Sequence, residues 1–536
     1  MASYSSYAST MSERKLTING FTGIDQSRGL YSADYGSSPD AVNFRTRDGL
    51  LMTAGGVSQY GVMVAVEDYL IYPKATTYPH ATLYPLDIDT LHLLNNARIF
   101  QGYFRDAQKR DFSKLIMTVY GRIYAADIDG TNWAVIKEGQ STNDWTAVNY
   151  RDENVDWIIF TNGIDTPLYW DGISPTAMPL NIVQGHVDGG AGASSQGEEL
   201  RFQNITLLKE RLWGGVVTKY PDRIYWSHTF DPEDWELNFI DSDSDGGGYL
   251  DVATFDGSRI RAIVAAMDEL LIFKDKSMHR LTGSYPGEFA ANQIYGTDGT
   301  LAYRTIVNTG TAIYFLANEG LVRYSGMSAV PLSANGDKKL RELWPRIDKA
   351  TIQTACAAFM DNIIYLSVPL DGSIINTHVI EYDIATGNYN IIELPGVDDW
   401  LVLREGQSET LLAISAGHIF RYNSGYTFFN DEPINASWTS PSISCGSLAS
   451  KKQTGRFYMS ITAASLDVNR PPEVKLSMIT GRKVRTKIVK LKNGTNEIRK
   501  RVKVRGRSFR FKIENMHGDP LTIHSGVEIH IEEDYD

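Results

Sequence analysis

The stretch "TAIYFLANEGLVRYSG", residues 311–326, shows most clearly a two-strand pattern that recurs along this chain. An apolar run is followed by a Glu-Gly turn and then by a second run with a tyrosine near its end. If the first run is extended, Ile313, Phe315 and Ala317 share one side of it, because side chains alternate between the two faces of a strand. The stretch therefore predicts a β-hairpin whose first strand has one buried face.

Comparable two-strand units recur along the chain from about residue 115 onward. In each unit an apolar strand ends in a turn, and the second strand carries an aromatic or basic residue. The second strands lie near Ile123, Leu168, Ile224, His279, Val322, Val379 and Ile419. Their average spacing of roughly 50 residues is the size of one propeller blade. The chain is therefore predicted to be all-β, with a degenerate β-propeller of about seven blade-like units over residues 115–432.

The regions outside this repeat are predicted to form three further parts. Residues 1–65 contain "DAVNFRTRDGLLMTAGGV", a hairpin pattern around Asp48-Gly49. We expect it to close or cap the propeller, because pairing an N-terminal strand with a C-terminal one removes an exposed sheet edge. Residues 66–114 match no blade and are predicted to be an insertion of uncertain fold. Residues 433–536 are predicted to form a basic C-terminal antiparallel β-domain.

The composition excludes several classes of protein. The first residues, "MASYSSYASTMSERK", lack the apolar core of a signal peptide. No run approaches the roughly 20 apolar residues that cross a bilayer, so no stable membrane insertion is expected. Cys356 and Cys445 are the two cysteines in the sequence, which gives neither a disulfide framework nor a zinc site. We expect the protein to be made in a reducing cytoplasm.

Charge is divided unevenly between the two ends of the chain. The whole sequence has a formal net charge of −12. Residues 433–536 hold 19 lysines and arginines against 10 aspartates and glutamates, whereas residues 1–432 hold 33 against 54. The net charges are thus +9 and −21, which indicates two bodies with different neighbours.

The basic segment "RKRVKVRGRSFRFKIEN", residues 499–515, has the alternation of strands and not the pattern of a disordered arm. Apolar side chains change parity at Gly506, which predicts a turn or a one-residue bulge there. The intervening cations are predicted to form one positive interface, made of Arg501, Lys503, Arg505, Arg510 and Lys512. Its counterpart is left open between solvent, acidic residues of the same or another subunit, and nucleic acid. The aromatic residues alternate into the core, which is not typical of a single-strand binder.

One acidic loop resembles a calcium site. In "DSDSDGGGYLDV", Asp241, Asp243 and Asp245 have the spacing of calcium ligands, but Val252 occupies the twelfth position, where a bidentate acid is needed. An acidic, Gly-rich surface loop is the simpler interpretation. The sequence has no nucleophile elbow, phosphate-binding loop or metalloprotease motif. It therefore predicts no catalytic residues and no cofactor, and no spacing among its many acids identifies a glycosidase pair.

Several phrases together resemble the tail nozzle (hub) proteins of short-tailed bacteriophages and related phage tail β-propellers. They are Arg211-Leu212-Trp213, Ser227 with Asp231-Pro232 and Trp235, Ile272-Phe273-Lys274, Gly320 to Gly326, and the opening pattern at Ala41, Asn43, Asp48, Gly49, Leu51, Gly55 and Gly56. The C-terminal "RVKVRGRSFRFKIEN" resembles the family's β-domain. Residues 66–114 and 183–199 have no counterpart in this pattern.

The resemblance implies a structural, non-enzymatic virion protein, made in the host bacterial cytoplasm and located in the tail. Such proteins assemble, typically as six copies, below the portal and its adaptor ring. They form a channel that genomic DNA crosses without sequence-specific binding, and they anchor fibres or spikes. An acidic body suits such a conduit, because negative walls repel phosphate. The alternative hypothesis is a glycan-binding or glycan-hydrolysing β-propeller of a phage tail.

Overall fold

The protein is all-β in the computed structural model. The structure describes residues 12–29, 31–61, 97–153, 155–180, 182–184, 198–235, 246–318, 320–332, 338–415, 417–425, 427–428, 433–444 and 448–533. Within these ranges the helices are short 3-10 turns at Pro286–Glu288, Tyr303–Thr305, Trp344–Arg346 and Ile352–Thr354. The chain starts with strands β1 (Ser12–Ile18), β2 (Phe44–Arg47), β3 (Leu50–Thr53) and β4 (Val57–Gln59).

Seven four-stranded antiparallel sheets, here numbered I to VII, follow in chain order through the described residues. Sheet I has β5 (Arg98–Arg105), β6 (Asp111–Val119), β7 (Arg122–Asp127) and β8 (Ala134–Lys137), and sheet II has β9 (Thr146–Arg151), β10 (Asp156–Thr161), β11 (Leu168–Trp170) and β12 (Met178–Pro179). A separate two-stranded pair follows, β13 (Val183–Gln184) and β14 (Glu198–Glu199). Sheet III has β15 (Asn204–Leu208), β16 (Arg211–Gly215), β17 (Arg223–Trp226) and β18 (Gly248–Asp251), and sheet IV has β19 (Ile260–Ala266), β20 (Glu269–Lys274), β21 (Met278–Thr282) and β22 (Ala290–Ile294).

The next three sheets continue this order. Sheet V has β23 (Val307–Asn308), β24 (Ile313–Ala317), β25 (Gly320–Tyr324) and β26 (Ala329–Pro331), and sheet VI has β27 (Cys356–Met360), β28 (Ile363–Val368), β29 (His378–Asp383) and β30 (Asn388–Ile392). Sheet VII has β31 (Asp399–Glu405), β32 (Ser408–Ser415) and β33 (His418–Tyr422), and its fourth strand is the N-terminal β4.

Each of these sheets packs on the next one along the chain through buried apolar side chains. Trp213 of sheet III and Ile263 of sheet IV, for example, belong to one buried cluster. Sheet VII packs on sheet I in the same way, because Leu403 and Leu412 share a buried cluster with Leu115. The order of packing therefore returns from the last sheet to the first.

A sheet between two neighbours is buried on both faces. All five residues of β24 are buried. Ile313 and Phe315 pack toward sheet IV, whereas Tyr314 and Leu316 belong to a cluster that includes sheet VI. The prediction of one buried face for this strand is wrong, because local alternation cannot tell how many layers cover a sheet.

An N-terminal strand completes sheet VII. In β4, Val57 pairs with Tyr422 and Gln59 pairs with Phe420 of β33. The approach to β4 is close: a Cβ on Gly56 would lie 1.9 Å from the Thr427 carbonyl oxygen, so no larger residue fits there. The pairing adds an N-terminal strand to three strands from residues 399–422, and β4 becomes the outer strand of sheet VII.

The C-terminal residues form two further sheets. Their strands are β34 (Ser437–Thr439), β35 (Lys452–Ala463), β36 (Glu473–Thr480), β37 (Lys483–Lys490), β38 (Gly494–Arg501), β39 (Arg505–Gly506), β40 (Arg510–Asn515), β41 (Leu521–Ile523) and β42 (Val527–Glu533). Sheet VIII has the order β1-β42-β35-β41-β3-β2, with β38 and β39 also paired to β35, and sheet IX has the order β34-β40-β36-β37. The two sheets share a buried apolar core, in which the rings of Phe457 and Phe511 stack with centroids 4.8 Å apart.

The predicted hairpin around Asp48-Gly49 is present, with positive φ angles of 51° and 76° at the two turn residues. It belongs to sheet VIII, because Leu51 of β3 pairs with Ile523 of β41. The strand that completes sheet VII is β4, which follows the hairpin. Residues 1–65 thus contribute to both parts of the molecule.

The region 66–114 contains strands at its C-terminal end. All of β5 and the first residues of β6 lie within it, and they pair from Arg105↔Asp111 to Arg98↔Thr118. The predicted boundary at residue 115 therefore falls inside β6. The pairing of β5 with β6 was not predicted, because their connection, "DAQKR", has no Gly, Pro or Asn turn signal. Residues 62–96 lie outside the described residues.

Candidate functional site

The five cations predicted as one interface lie on two sheets. Arg501 ends β38 and Arg505 begins β39, both in sheet VIII, with Lys503 between them. Arg510 and Lys512 lie in β40, in sheet IX. Because sheets VIII and IX pack through their apolar faces, the alternating cations project from opposite outer surfaces. The five residues do not form a single positive face.

The reason is the crossing between sheets at Gly506. The apolar side chains Val502 and Val504 before it and Phe509 after it are all buried in the same core. The change of parity that the sequence shows is therefore the step from one sheet to the facing one. Glycine is required at this step, since a Cβ at position 506 would lie 2.0 Å from Thr480 Oγ1.

Acidic residues of the same domain neutralise part of this charge. Arg501 donates to Glu532 at 3.2 Å, and Glu514 lies 2.9 Å from Lys475 and 3.1 Å from Lys512. Burial raises the pKa of Glu514, but hydrogen bonds from the two lysines outweigh burial and lower this pKa overall. The exposed Lys503 has no ion pair with any described residue. The outer surfaces of the domain are therefore only partly compensated.

The largest uncompensated charge lies on β37, which the sequence analysis did not select. Residues 482–507 hold 12 lysines and arginines and one acid, Glu497. Within the described chain β37 pairs only with β36, so it lies at an edge of sheet IX. Seven of its eight residues are exposed. The signal that would have found it is the run of cations at alternate positions, Lys483, Arg485 and Lys487.

The register shows that β37 extends beyond the facing sheet. Arg485 pairs with Met478 and Lys487 pairs with Leu476, so each cation shares a face with a core residue of β36. Leu476 and Met478 are fully buried, whereas the two cations one strand further out are exposed. Sheet VIII therefore covers β36 and, on β37, only Val489 near the end of the strand, while Lys483 to Lys487 stay exposed.

A second charged group is buried among the seven sheets. Arg98, at the start of β5, donates to Asp399, at the start of β31, at 2.8 Å and lies 3.3 Å from Asp144. The hydroxyl of Tyr303 donates to Asp144, and the guanidinium of Arg304 donates to the backbone carbonyl of Asp398. These residues come from sheets I and VII and from the segments that lead into sheets II, V and VII. We call them the Arg98 cluster.

The charges in the Arg98 cluster are matched inside the protein. Burial lowers the pKa of Arg98, but attraction to Asp399 and Asp144 outweighs burial and raises it. Burial also raises the pKa of Tyr303, with the nearby Asp144 charge adding to the shift. Asp144 and Asp399 are 8% and 5% exposed, so both carboxylates bind protein cations away from solvent. The Arg98 cluster therefore links the start of β5 in sheet I to the start of β31 in sheet VII and to the segments that precede sheets II and V.

The predicted calcium ligands Asp241, Asp243 and Asp245 lie outside the described residues. In the described part of the chain, no group of three or more His, Cys, Asp or Glu side chains is placed to hold a metal ion. The described residues also contain no helix with the length and apolarity needed to span a membrane.

Comparison with known proteins gives the following results. No family model matches the chain, and no curated protein matches it. Among solved structures, the chain is similar to the extracellular domain of a one-component system from B. thetaiotaomicron, with 9% identity and a TM-score of 0.42 over 89% of this chain. This chain spans 60% of the length of that structure. It is also similar to Kluyveromyces lactis Hsv2, with 9% identity and a TM-score of 0.25 over 55% of this chain and 97% of that one.

Proposed function

We propose that sheets I to VII form a seven-bladed β-propeller. Two features support this proposal: the order of sheet packing returns from sheet VII to sheet I, and the N-terminal β4 completes sheet VII. A propeller commonly closes its ring in this way, because a strand from the N-terminal part of the chain then holds the last blade by backbone hydrogen bonds.

We further propose that the protein is the structural hub, or nozzle, of a short-tailed bacteriophage tail, without enzymatic activity. The carrying observation is the positive surface of sheets VIII and IX, joined to a body of net charge −21, because exposed cations such as Lys483, Arg485 and Lys487, which have no ion pair among the described residues, favour an acidic neighbour. In this proposal several copies, expected to be six, assemble below the portal and its adaptor proteins. They also anchor tail fibres or spikes.

The DNA channel of the proposed assembly lies between copies and not through the middle of each propeller. The Arg98 cluster lies where the first strands of sheets I and VII begin, and ion pairs and hydrogen bonds join its side chains across this region. We therefore do not place the channel there. The acidic surfaces of the copies would line the channel, so that genomic DNA passes without being bound in a sequence-specific way.

The test is to image the purified full-length protein by negative stain, alone and with portal–adaptor complexes of a short-tailed phage. Six-fold rings that join these complexes are the expected result. A protein that stays monomeric and releases reducing sugar from host glycan would contradict the proposal and favour a propeller hydrolase. The variant with Arg501, Lys503, Arg510 and Lys512 changed to Glu is the control, because it should fold without forming rings.

A further inference from the structure

Strand β37 is free on three sides in the described chain. Its outer edge has no paired strand, the part of one face that carries Lys483, Arg485 and Lys487 is exposed before Val489 enters the core, and the opposite face is open. On that opposite face Val484 and Ile488 are 55% and 52% exposed. The strand is nevertheless regular, with eight consecutive pairs from Thr480↔Lys483 to Glu473↔Lys490. It thus presents a straight, ordered edge with one cationic and one apolar face.

The cationic face has no acidic counterpart in the described part of the chain. Lys490, on the other face, lies 4.0 Å from Glu473, but Lys483, Arg485 and Lys487 make no ion pair with a described residue. Lysines on an edge strand disfavour pairing with an identical edge, because like charges would then lie opposite one another. A symmetric contact between two β37 strands is therefore excluded on electrostatic grounds.

We infer that β37 accepts an extended segment of another protein as an added strand, in which acidic side chains alternate with apolar ones. Because residues directly opposite in a sheet share a face, three acids at alternate positions would lie beside Lys483, Arg485 and Lys487. The apolar side chains between them would cover Val484 and Ile488. The backbone of the free edge supplies hydrogen bonds and the alternating side chains supply specificity, which is recognition by strand addition.

This inference rests on the proposed function only in taking the basic domain to be a surface for another protein. The two can fail separately. Rings that form without any binding of an alternating segment would refute strand addition and leave the hub proposal standing. Binding of such a segment by a protein that never forms rings would support strand addition and refute the hub proposal.

The experiment uses the full-length protein and labelled peptides in fluorescence anisotropy at low salt. One peptide alternates Glu and Val over seven residues, and a second has the same composition in two blocks. We expect the alternating peptide to bind at least tenfold more tightly, because only its acids all reach one face. A third peptide, alternating but N-methylated at every residue, should lose this advantage, since it cannot donate backbone hydrogen bonds along either edge.

The matched variants change equal charge at different places. Lys483→Glu/Arg485→Glu/Lys487→Glu should weaken binding of the alternating peptide at least tenfold, whereas Lys451→Glu/Arg456→Glu/Arg507→Glu, at exposed positions of the same domain, should weaken it less than threefold. Equal binding of the alternating and block peptides, or displacement of both by a short DNA duplex with equal ease, would overturn the inference in favour of a general polyanion surface. No binding by the wild-type protein would also overturn it.

Discussion

The guanidinium of Arg45 binds both carboxylate oxygens of Glu381, with Nε 2.7 Å from Oε2 and Nη2 2.6 Å from Oε1. Arg45 lies in β2 of sheet VIII and Glu381 lies in β29 of sheet VI, so this ion pair joins the C-terminal sheets to the row of seven. Tyr422 of sheet VII donates to the same carboxylate at 2.9 Å. The buried carboxylate of Glu381 in sheet VI therefore contacts residues of both sheet VII and sheet VIII.

Removing one partner of this pair should strongly destabilise the protein. We expect Glu381→Ala to lower the free energy of unfolding by about 3 kcal/mol, because it leaves the largely buried Arg45 charge without a carboxylate and with neutral partners such as the Tyr422 hydroxyl. The matched control is Asp371→Asn, which removes the charge from an exposed pair with Arg346 of the same two-bond geometry, suits the positive φ of 56° at this position, and should cost less than about 1 kcal/mol. Chemical denaturation measures both. Equal losses of unfolding free energy in the two variants would show that the buried pair stabilises the protein no more than the exposed pair does.

A buried lysine supports a second contact between sheets. Lys274 Nζ lies 2.9 Å from Asp256 and 3.2 Å from Asp222, and it donates to the Val252 carbonyl at 2.9 Å. Lys274→Met should lower the free energy of unfolding by about 3 kcal/mol, since two carboxylates lose their cation. Adding Asp256→Asn should restore part of this loss. The exposed neighbour Lys276→Met is the control, expected within about 0.5 kcal/mol of wild type by thermal or chemical denaturation.

Stability should fall in mild acid because of His378. Burial lowers the pKa of His378 to about 4, with the Arg346 charge adding to the shift and Asp371 opposing it. The unfolded chain therefore takes up a proton at this site as pH falls below about 6.5, whereas the folded protein does so only near pH 4. The stabilisation is complete above pH 6.5 and is lost progressively toward pH 4, by at most about 3 kcal/mol.

The variant His378→Asn should show a flatter dependence of unfolding free energy on pH over this window. Thr377 Oγ1, which lies 2.9 Å from His378 Nδ1, remains available to hydrogen-bond the amide. If the His378 variant and the wild type keep parallel curves from pH 6.5 to 4, this histidine is not the source of the acid sensitivity.

Charge reversal on the C-terminal domain should separate assembly from folding. Reversing Arg501, Lys503, Arg510 and Lys512 to Glu is expected to abolish ring formation while shifting the thermal midpoint by only a few degrees, because exposed ion pairs such as Arg501–Glu532 contribute about 1 kcal/mol or less. Native mass and calorimetry measure the two effects. Unchanged assembly together with lost DNA binding would contradict the proposed role of this surface.

The two halves of that variant can be tested apart, because they lie on opposite outer surfaces. Arg501→Glu/Lys503→Glu changes sheet VIII, and Arg510→Glu/Lys512→Glu changes sheet IX. We expect one pair to impair ring formation much more than the other, which identifies the surface that meets the neighbouring copy. Equal and partial effects of both pairs would instead indicate long-range charge and no defined interface.

Several features of this protein depend only on residues that are close together in the chain. The all-β class and the Asp48-Gly49 hairpin follow from turn residues and alternation, both of which act over a few positions. The change of parity at Gly506 was also visible, because register is a local property. Such signals do not tell which strand lies beside which, or how many layers cover a face.

The relationships between distant residues depend on the tertiary structure. It placed β4 beside β33, it buried β24 on both faces, and it separated Arg501 from Arg510 onto opposite surfaces. It also left Lys483, Arg485 and Lys487 beyond the facing sheet. The physical reason is that burial and charge compensation depend on what packs against a strand from elsewhere in the chain, and the strand's own sequence does not contain this information.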